Sequence, residues 1–128
     1  MSFLKNFMNS QKSGVNANWK NMVNEAELQQ IIDQSTNKPA FIFKHSTSCG
    51  ISVGAKSRLE TFDIDSEKVD FYYLDLLEYR NISNKIAEDL NVVHQSPQVI
   101  LVKDGKAVWS ITHHAISAEA LQDALEKH

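Results

Sequence analysis

At 128 residues and 14.5 kDa the chain is long enough for one compact domain with a hydrophobic core and too short for two. Its 42% apolar and 23% charged residues, with only two prolines and four glycines, exclude a disordered or fibrous protein, and a net charge of −3 without a basic stripe excludes a nucleic-acid binder. No apolar run approaches the ~18 residues of a membrane span, and a single cysteine excludes an internal disulfide, so a reducing, cytoplasmic location is the expectation.

Residues 1–15 are polar and aperiodic, and Lys5, Asn6 and Asn9 interrupt any signal-peptide core, so they read as a flexible N-terminal arm ahead of one domain over 16–128. Asn24 with Glu27 has the spacing of a capping box, and Val23 with Leu28 that of a hydrophobic staple. A helix with Leu28, Ile31 and Ile32 on its apolar stripe therefore runs to about Ser35. PAFIFK, Pro39 to Lys44, is nearly continuous in apolar residues, as suits a strand buried on both faces. After HSTSCG, the residues Ile51, Ala55, Leu59 and Phe62 form a helical stripe, which places Cys49 at a strand-to-helix junction.

Val69 to Leu76 reads as a second strand, and Ile82, Ile86 and Leu90 as a third helix capped by Asn81 or Ser83. Asp104-Gly105 between QVILVK and KAVWSIT is a two-residue hairpin signal, and Ser117 caps a last helix with Leu121, Ala124 and Leu125 inward. Trp19, Trp109, Phe41, Phe43, Tyr72 and Tyr73 read as core or sheet-face residues. A parallel unit followed by an antiparallel hairpin and a closing helix is the element order of the thioredoxin fold. The expected class is α/β, with a central four-stranded mixed sheet flanked by helices.

Four cations, Lys38, Lys44, Lys56 and Arg58, and no carboxylate lie between Asp33 and Glu60, the window that holds Cys49. A thiolate is favoured at a helix N-terminus and near cations, so Cys49 reads as reactive. Ser52 adds a hydroxyl donor three residues on, and Gly50 an N–H that a proline would lack. The alternative, a small buried apolar cysteine, conflicts with the polar neighbours Ser46, Thr47 and Ser48.

Ala55 stands where a cysteine phosphatase carries its phosphate-binding arginine. A metal site would have to join Cys49 and His45 to remote histidines such as His94, His113 or His114, which read more simply as surface or strand-end residues. A cysteine-protease constellation has little room in so small a fold. Thiol–disulfide exchange remains, with Ser52 where a dithiol enzyme carries its second cysteine. The mixed disulfide must then be resolved from outside.

KHSTSCGIS after an apolar strand, with HQSPQVILVKDGKAVW downstream, resembles the monothiol bacilliredoxins of the YtxJ type from about Trp19 onward. This chain has Ser48-Cys49-Gly50-Ile51 where that family's motif is Thr-Cys-Pro-Ile. The resemblance implies a thioredoxin-like fold, with Cys49 as nucleophile, Pro97 cis and facing it, and Ser96 offering backbone groups to a substrate. It implies S-bacillithiolated cytoplasmic proteins as partners, bacillithiol as co-substrate, and indirect dependence on a bacillithiol disulfide reductase. No tightly bound cofactor, metal, nucleic acid or membrane is expected. Lys44, Lys56 or Arg58 would hold the ligand's malate carboxylates, or simply form a solvated basic face. Two other readings stay open: a non-catalytic thioredoxin-like module, and a glutaredoxin-like enzyme using another small thiol.

Overall fold

The structure is a computed structural model and describes residues 18–128. The expected N-terminal arm over 1–15 lies outside the described residues. Strand β1 (Lys20–Asn21) leads into helix α1 (Ala26–Gln34), β2 (Ala40–His45), α2 (Gly50–Leu59), β3 (Asp70–Asp75), α3 (Arg80–Asp89), β4 (Gln98–Lys103), β5 (Lys106–Thr112), a 3-10 turn (His113–Ala115) and α4 (Ala118–Lys127). One sheet of order β1-β3-β2-β4-β5 holds every strand. β1, β3 and β2 run parallel, and β4 and β5 are antiparallel.

The sheet therefore has five strands rather than the expected four. The addition, β1, is two residues long and pairs Lys20 with Tyr72 and Asn21 with Tyr73. Two residues carry no alternation that a sequence reading can detect.

β2 is central, as its continuous apolar run requires, and all six of its residues are buried. Alternate side chains along it serve two separate cores. Phe41 and Phe43 pack with Phe71, Val99, Leu101, Ala55 and Leu59 under α2 and α4. Ala40 and Ile42 pack with Leu28, Ile31, Ile82 and Ile86 under α1 and α3. A helix layer on each face of a mixed sheet is the result.

Local signals account for most boundaries. Asn24 and Glu27 form the reciprocal capping box: the Glu27 N–H donates to Asn24 Oδ1 at 3.1 Å and the Asn24 N–H to Glu27 Oε1 at 3.1 Å. The staple is not part of the core, because Val23 stays 51% exposed. Ser117 accepts from the Ala120 N–H and caps α4. Asp104 at φ 53° and Gly105 at φ 76° make the tight hairpin turn that places both residues in the left-handed region.

Two helix starts differ from expectation. Tyr79, not Asn81 or Ser83, precedes α3, and Ser83 is buried within the helix. The chain is already turned by Asp75, whose carbonyl accepts the Tyr79 N–H at 3.0 Å and whose carboxylate accepts the Leu77 N–H at 3.2 Å. On α2 the buried stripe is Ser52, Ala55 and Leu59, while Ile51 is 40% exposed. The first turn overhangs the sheet edge, so a position in phase with the stripe meets no core there.

Candidate functional site

His45 ends β2, and Ser46–Ser48 carry the chain over the edge of the sheet. The turn closes when the Cys49 N–H donates to the Ser46 carbonyl at 3.2 Å. Cys49 is then extended, at φ −106° and ψ 121°, and occupies the N-cap of α2. Its thiol is partly exposed, as the polar loop around it implies.

The Cys49 sulfur makes no strictly aligned cap hydrogen bond. It does face donors that favour its anion: the N–H of Ser52 first, then that of Ile51, and the Ser52 hydroxyl. Together they lower the thiol pKa against a smaller opposing effect of desolvation. These are the second and third helical positions, whose N–H groups have no partner within a helix. Gly50, at the first position, does not contribute. The N–H expected to matter there is not among the donors.

Ser52 is fully buried, and its hydroxyl lies 3.4 Å from that of Ser96. Ser96 precedes Pro97 through a cis peptide bond. The Pro97 carbonyl accepts the His113 N–H at 3.1 Å, which ties this loop to the end of β5. The expected group Ser48, Cys49, Gly50, Ile51, Ser52, Ser96 and Pro97 therefore comes together at one end of the sheet, from two segments that the fold brings alongside. Ile51 at 40% and Val53 at 49% exposure add an apolar rim.

Two of the basic residues are engaged elsewhere in the fold. Lys44 is wholly buried beneath α3, and its Nζ hydrogen-bonds His94 Nδ1 at 2.9 Å. Burial holds its pKa at about 8, low for an amine. It points away from the face that carries α2 because residues along a strand alternate, and Cys49 lies on the other side. Arg58 donates from Nε to the Ile116 carbonyl at 2.7 Å and from Nη2 to that of His113 at 3.3 Å, fastening α2 to the 3-10 turn. Lys56 pairs with Glu60 at 3.0 Å one helical turn on. Lys44 and Arg58 are thus engaged within the fold, while the Lys56 charge acts on His45 behind the cysteine loop.

His45 is buried rather than a surface residue, packed against Phe43 and Tyr73 at ring separations of 5.6 Å each. Its pKa falls to about 4, through burial first and the Lys56 charge second, against opposing effects of Asp75 and the Ser52 backbone. The neutral ring is therefore what lies behind the cysteine loop at neutral pH.

Sequence reading overlooked Asp75, Glu78 and Tyr79. With Thr47 they line a cavity of about 250 Å³ beside the cysteine loop. Nothing in the linear pattern marks them, since Glu78 is 29 positions from Cys49 and is brought near only by the parallel pairing of β2 with β3. Among the described residues no three His, Cys, Asp or Glu side chains gather as a metal site, and no helix is long and apolar enough to cross a membrane.

Residues 20–121 match the family described as monothiol bacilliredoxin BrxC. Among solved structures, a protein assigned a thioredoxin fold and proposed to be an oxidoreductase is 32% identical, with 84% of this chain and 93% of that one covered and a TM-score of 0.72. Mitochondrial thioredoxin 3 from Saccharomyces cerevisiae, 21% identical with 85% and 94% coverage and a TM-score of 0.66, has a similar fold. So does thioredoxin NaTrxh from Nicotiana alata, 20% identical with 87% and 92% coverage and a TM-score of 0.67.

Proposed function

Because this chain belongs to the monothiol bacilliredoxin family, a group of thiol oxidoreductases with the thioredoxin fold, we propose that it removes bacillithiol from mixed disulfides on cytoplasmic proteins through Cys49. The observation that carries this reading is a partly exposed lone cysteine at the N-cap of α2, with its pKa lowered by Ser52 and Ile51. Ser52 in turn meets the Ser96–Pro97 loop.

In the first step the Cys49 thiolate attacks the bacillithiol sulfur of a protein–bacillithiol disulfide. A new S–S bond forms at Cys49 and the protein thiolate leaves. In the second, the thiolate of free bacillithiol attacks the bacillithiol sulfur held on Cys49, releasing the Cys49 thiolate and bacillithiol disulfide. Both are two-electron exchanges with one S–S bond broken and one made. A separate reductase, drawing on NADPH through a flavin, returns the disulfide to the thiol pool. Cys49 is the only cysteine in the chain, and Ser52 has no sulfur to offer, so resolution comes from solution. In this reading the Ser96 backbone, next to the cis Ser96–Pro97 bond, pairs with an extended substrate chain.

The test follows intact mass when the reduced protein meets a bacillithiolated test protein, with Cys49→Ser as blank. A bacillithiol adduct that passes to the wild type, and is then cleared by free bacillithiol but not by glutathione, is the expected result. Clearance by either thiol would make it a glutaredoxin-like enzyme of broader thiol use. No transfer at all would leave a thioredoxin-like binding module.

A further inference from the structure

The loop that carries Ser96 is held from beneath by a lysine for which the exchange chemistry has no use. After α3 the chain runs without regular structure from Val92 to Pro97. The Val92 N–H donates to the Ala87 carbonyl at 3.1 Å, and the Gln98 side-chain amide donates to the Val93 carbonyl at 3.1 Å. At the other end the Pro97 carbonyl accepts from His113. Between these ties His94 reaches back to the sheet, its Nδ1 lying 2.9 Å from Lys44 Nζ.

Lys44 is fully buried in β2. Burial lowers its pKa to about 8, and among the described residues no carboxylate offsets that cost. At neutral pH it is still mainly an ammonium. An apolar side chain of similar length would fill the same space at lower cost. What Lys44 supplies, and such a side chain does not, is a donor for the loop.

An ammonium has donors and no lone pair, so His94 accepts at Nδ1 and carries its own proton on Nε2. A second proton on the pair leaves donors on both sides and no acceptor between them. His94 is exposed, so solvent can deliver that proton. Burial first, then the cations Lys44 of β2 and Arg80 at the first position of α3, hold the His94 pKa below the ordinary 6.5. The contact is therefore made at neutral pH and lost in acid. Two residues further on, the Ser96 hydroxyl lies 3.4 Å from that of Ser52, which serves the Cys49 sulfur.

We infer that Lys44 and His94 are positioning residues for the exchange at Cys49: from the opposite face of the sheet they fix the loop that sets Ser96 against Ser52 and presents its backbone to the substrate chain, and protonation of His94 releases the hold. The inference rests on the oxidoreductase reading above. It extends the machinery to two residues that touch neither substrate nor sulfur. A protein substrate that pairs with Ser96 depends on the hold, whereas a small disulfide does not.

Two rates are followed by intact mass between about pH 5 and pH 8, where histidine titrates. One is bacillithiol transfer to Cys49 from a bacillithiolated test protein. The other is adduct formation with the neutral hydroxyethyl disulfide, in which the Cys49 thiolate attacks one sulfur and mercaptoethanol leaves as the thiolate. Their ratio cancels the thiolate fraction of Cys49. In the wild type it is expected to fall about three- to tenfold as His94 protonates. H94N keeps an acceptor oxygen near the place of Nδ1 and does not titrate, so its ratio should stay high throughout. H94A and K44M should give a low ratio at every pH. By NMR, the Ser96 and Ser52 amide resonances of the wild type should move with the same midpoint as the His94 ring, and should stay still in H94N.

A wild-type ratio that matches H94N at every pH would overturn the positioning role and leave the oxidoreductase reading standing. So would Ser96 and Ser52 resonances that do not move while the His94 ring titrates. If the test protein transfers nothing to the wild type but those resonances follow His94, the hold on the loop stands and the bacillithiol reading falls.

Discussion

Ser52 serves the Cys49 sulfur twice, through its N–H and through its hydroxyl, and the N–H has the greater effect. The hydroxyl also lies 3.4 Å from that of Ser96, and either of the two can donate. Ser52→Ala keeps the backbone donors and removes only the hydroxyl. The thiol pKa should rise, and at a pH below it a smaller thiolate fraction should slow Cys49. A pH profile of Cys49 alkylation checks this, with the inflection moving to higher pH in the variant and the plateau rate at high pH retained. An unchanged inflection would mean that the backbone N–H groups act alone. Ser52 stands out in the sequence only as the residue three after a cysteine. That it is buried and meets Ser96 depends on a loop 44 positions away.

At the scale of the element, the N-terminus of α2 is built to accept a more rigid residue. Gly50 sits at the first helical position, where proline is favoured because the N–H has no helical partner. Cys49 before it is already extended, as a residue preceding proline must be. A Cβ added at Gly50 meets nothing within 4 Å. The thiolate donors are the next two N–H groups, which a proline leaves in place. Gly50→Pro should therefore stabilise the protein by about 0.4–1 kcal/mol, by restricting the unfolded chain, and should leave the pH profile of alkylation nearly unshifted. Denaturant midpoints of the two proteins give the first quantity, and a fall in midpoint would contradict it. Local signals of this kind made most elements legible, as the capping box of α1, the Asp104-Gly105 turn and the Ser117 cap show. α3 was harder, because its entry is set by Asp75 holding the Leu77 N–H and accepting from Tyr79. That is a turn rather than an N-cap side chain.

Across the whole molecule, two cores share one sheet, and ionisable groups at its functional end are folded into them. Lys44 occupies one face and His45 the other. For His45 the native pKa near 4 lies below the ordinary 6.5 of an unfolded chain. Between those values the unfolded state binds the extra proton, so stability is lost as pH falls from about 6.5 towards 4 and then levels. The shift corresponds to about 3 kcal/mol from this residue. His45→Phe, which keeps a ring against Phe43 and Tyr73, should flatten the fall in unfolding free energy over that interval. Denaturant titrations at several pH values measure it. An undiminished slope would assign the acid sensitivity to carboxylates instead. For Lys44 the corresponding window is higher: burial costs stability at neutral pH and the cost disappears as pH rises from about 8 to 10.5.

The sequence by itself determined the element order, the central place of β2, the hairpin and the helix that begins at Cys49. Each of these follows from periodicity, turn chemistry or capping within a few neighbouring residues, forces that act before any tertiary contact exists. It also marked the lone cysteine, because a polar loop before a helical stripe is a local pattern. Only the tertiary structure decided what surrounds that cysteine. Along the chain Cys49 lies in a cationic window, but in space Lys44 is turned inward by strand alternation, Arg58 is spent on the 3-10 turn and Asp75 and Glu78 arrive from the neighbouring strand and the loop after it. Charge is additive along a sequence only while side chains share a face. Strand pairing and alternation assign the faces, and they do so between residues that no local pattern connects.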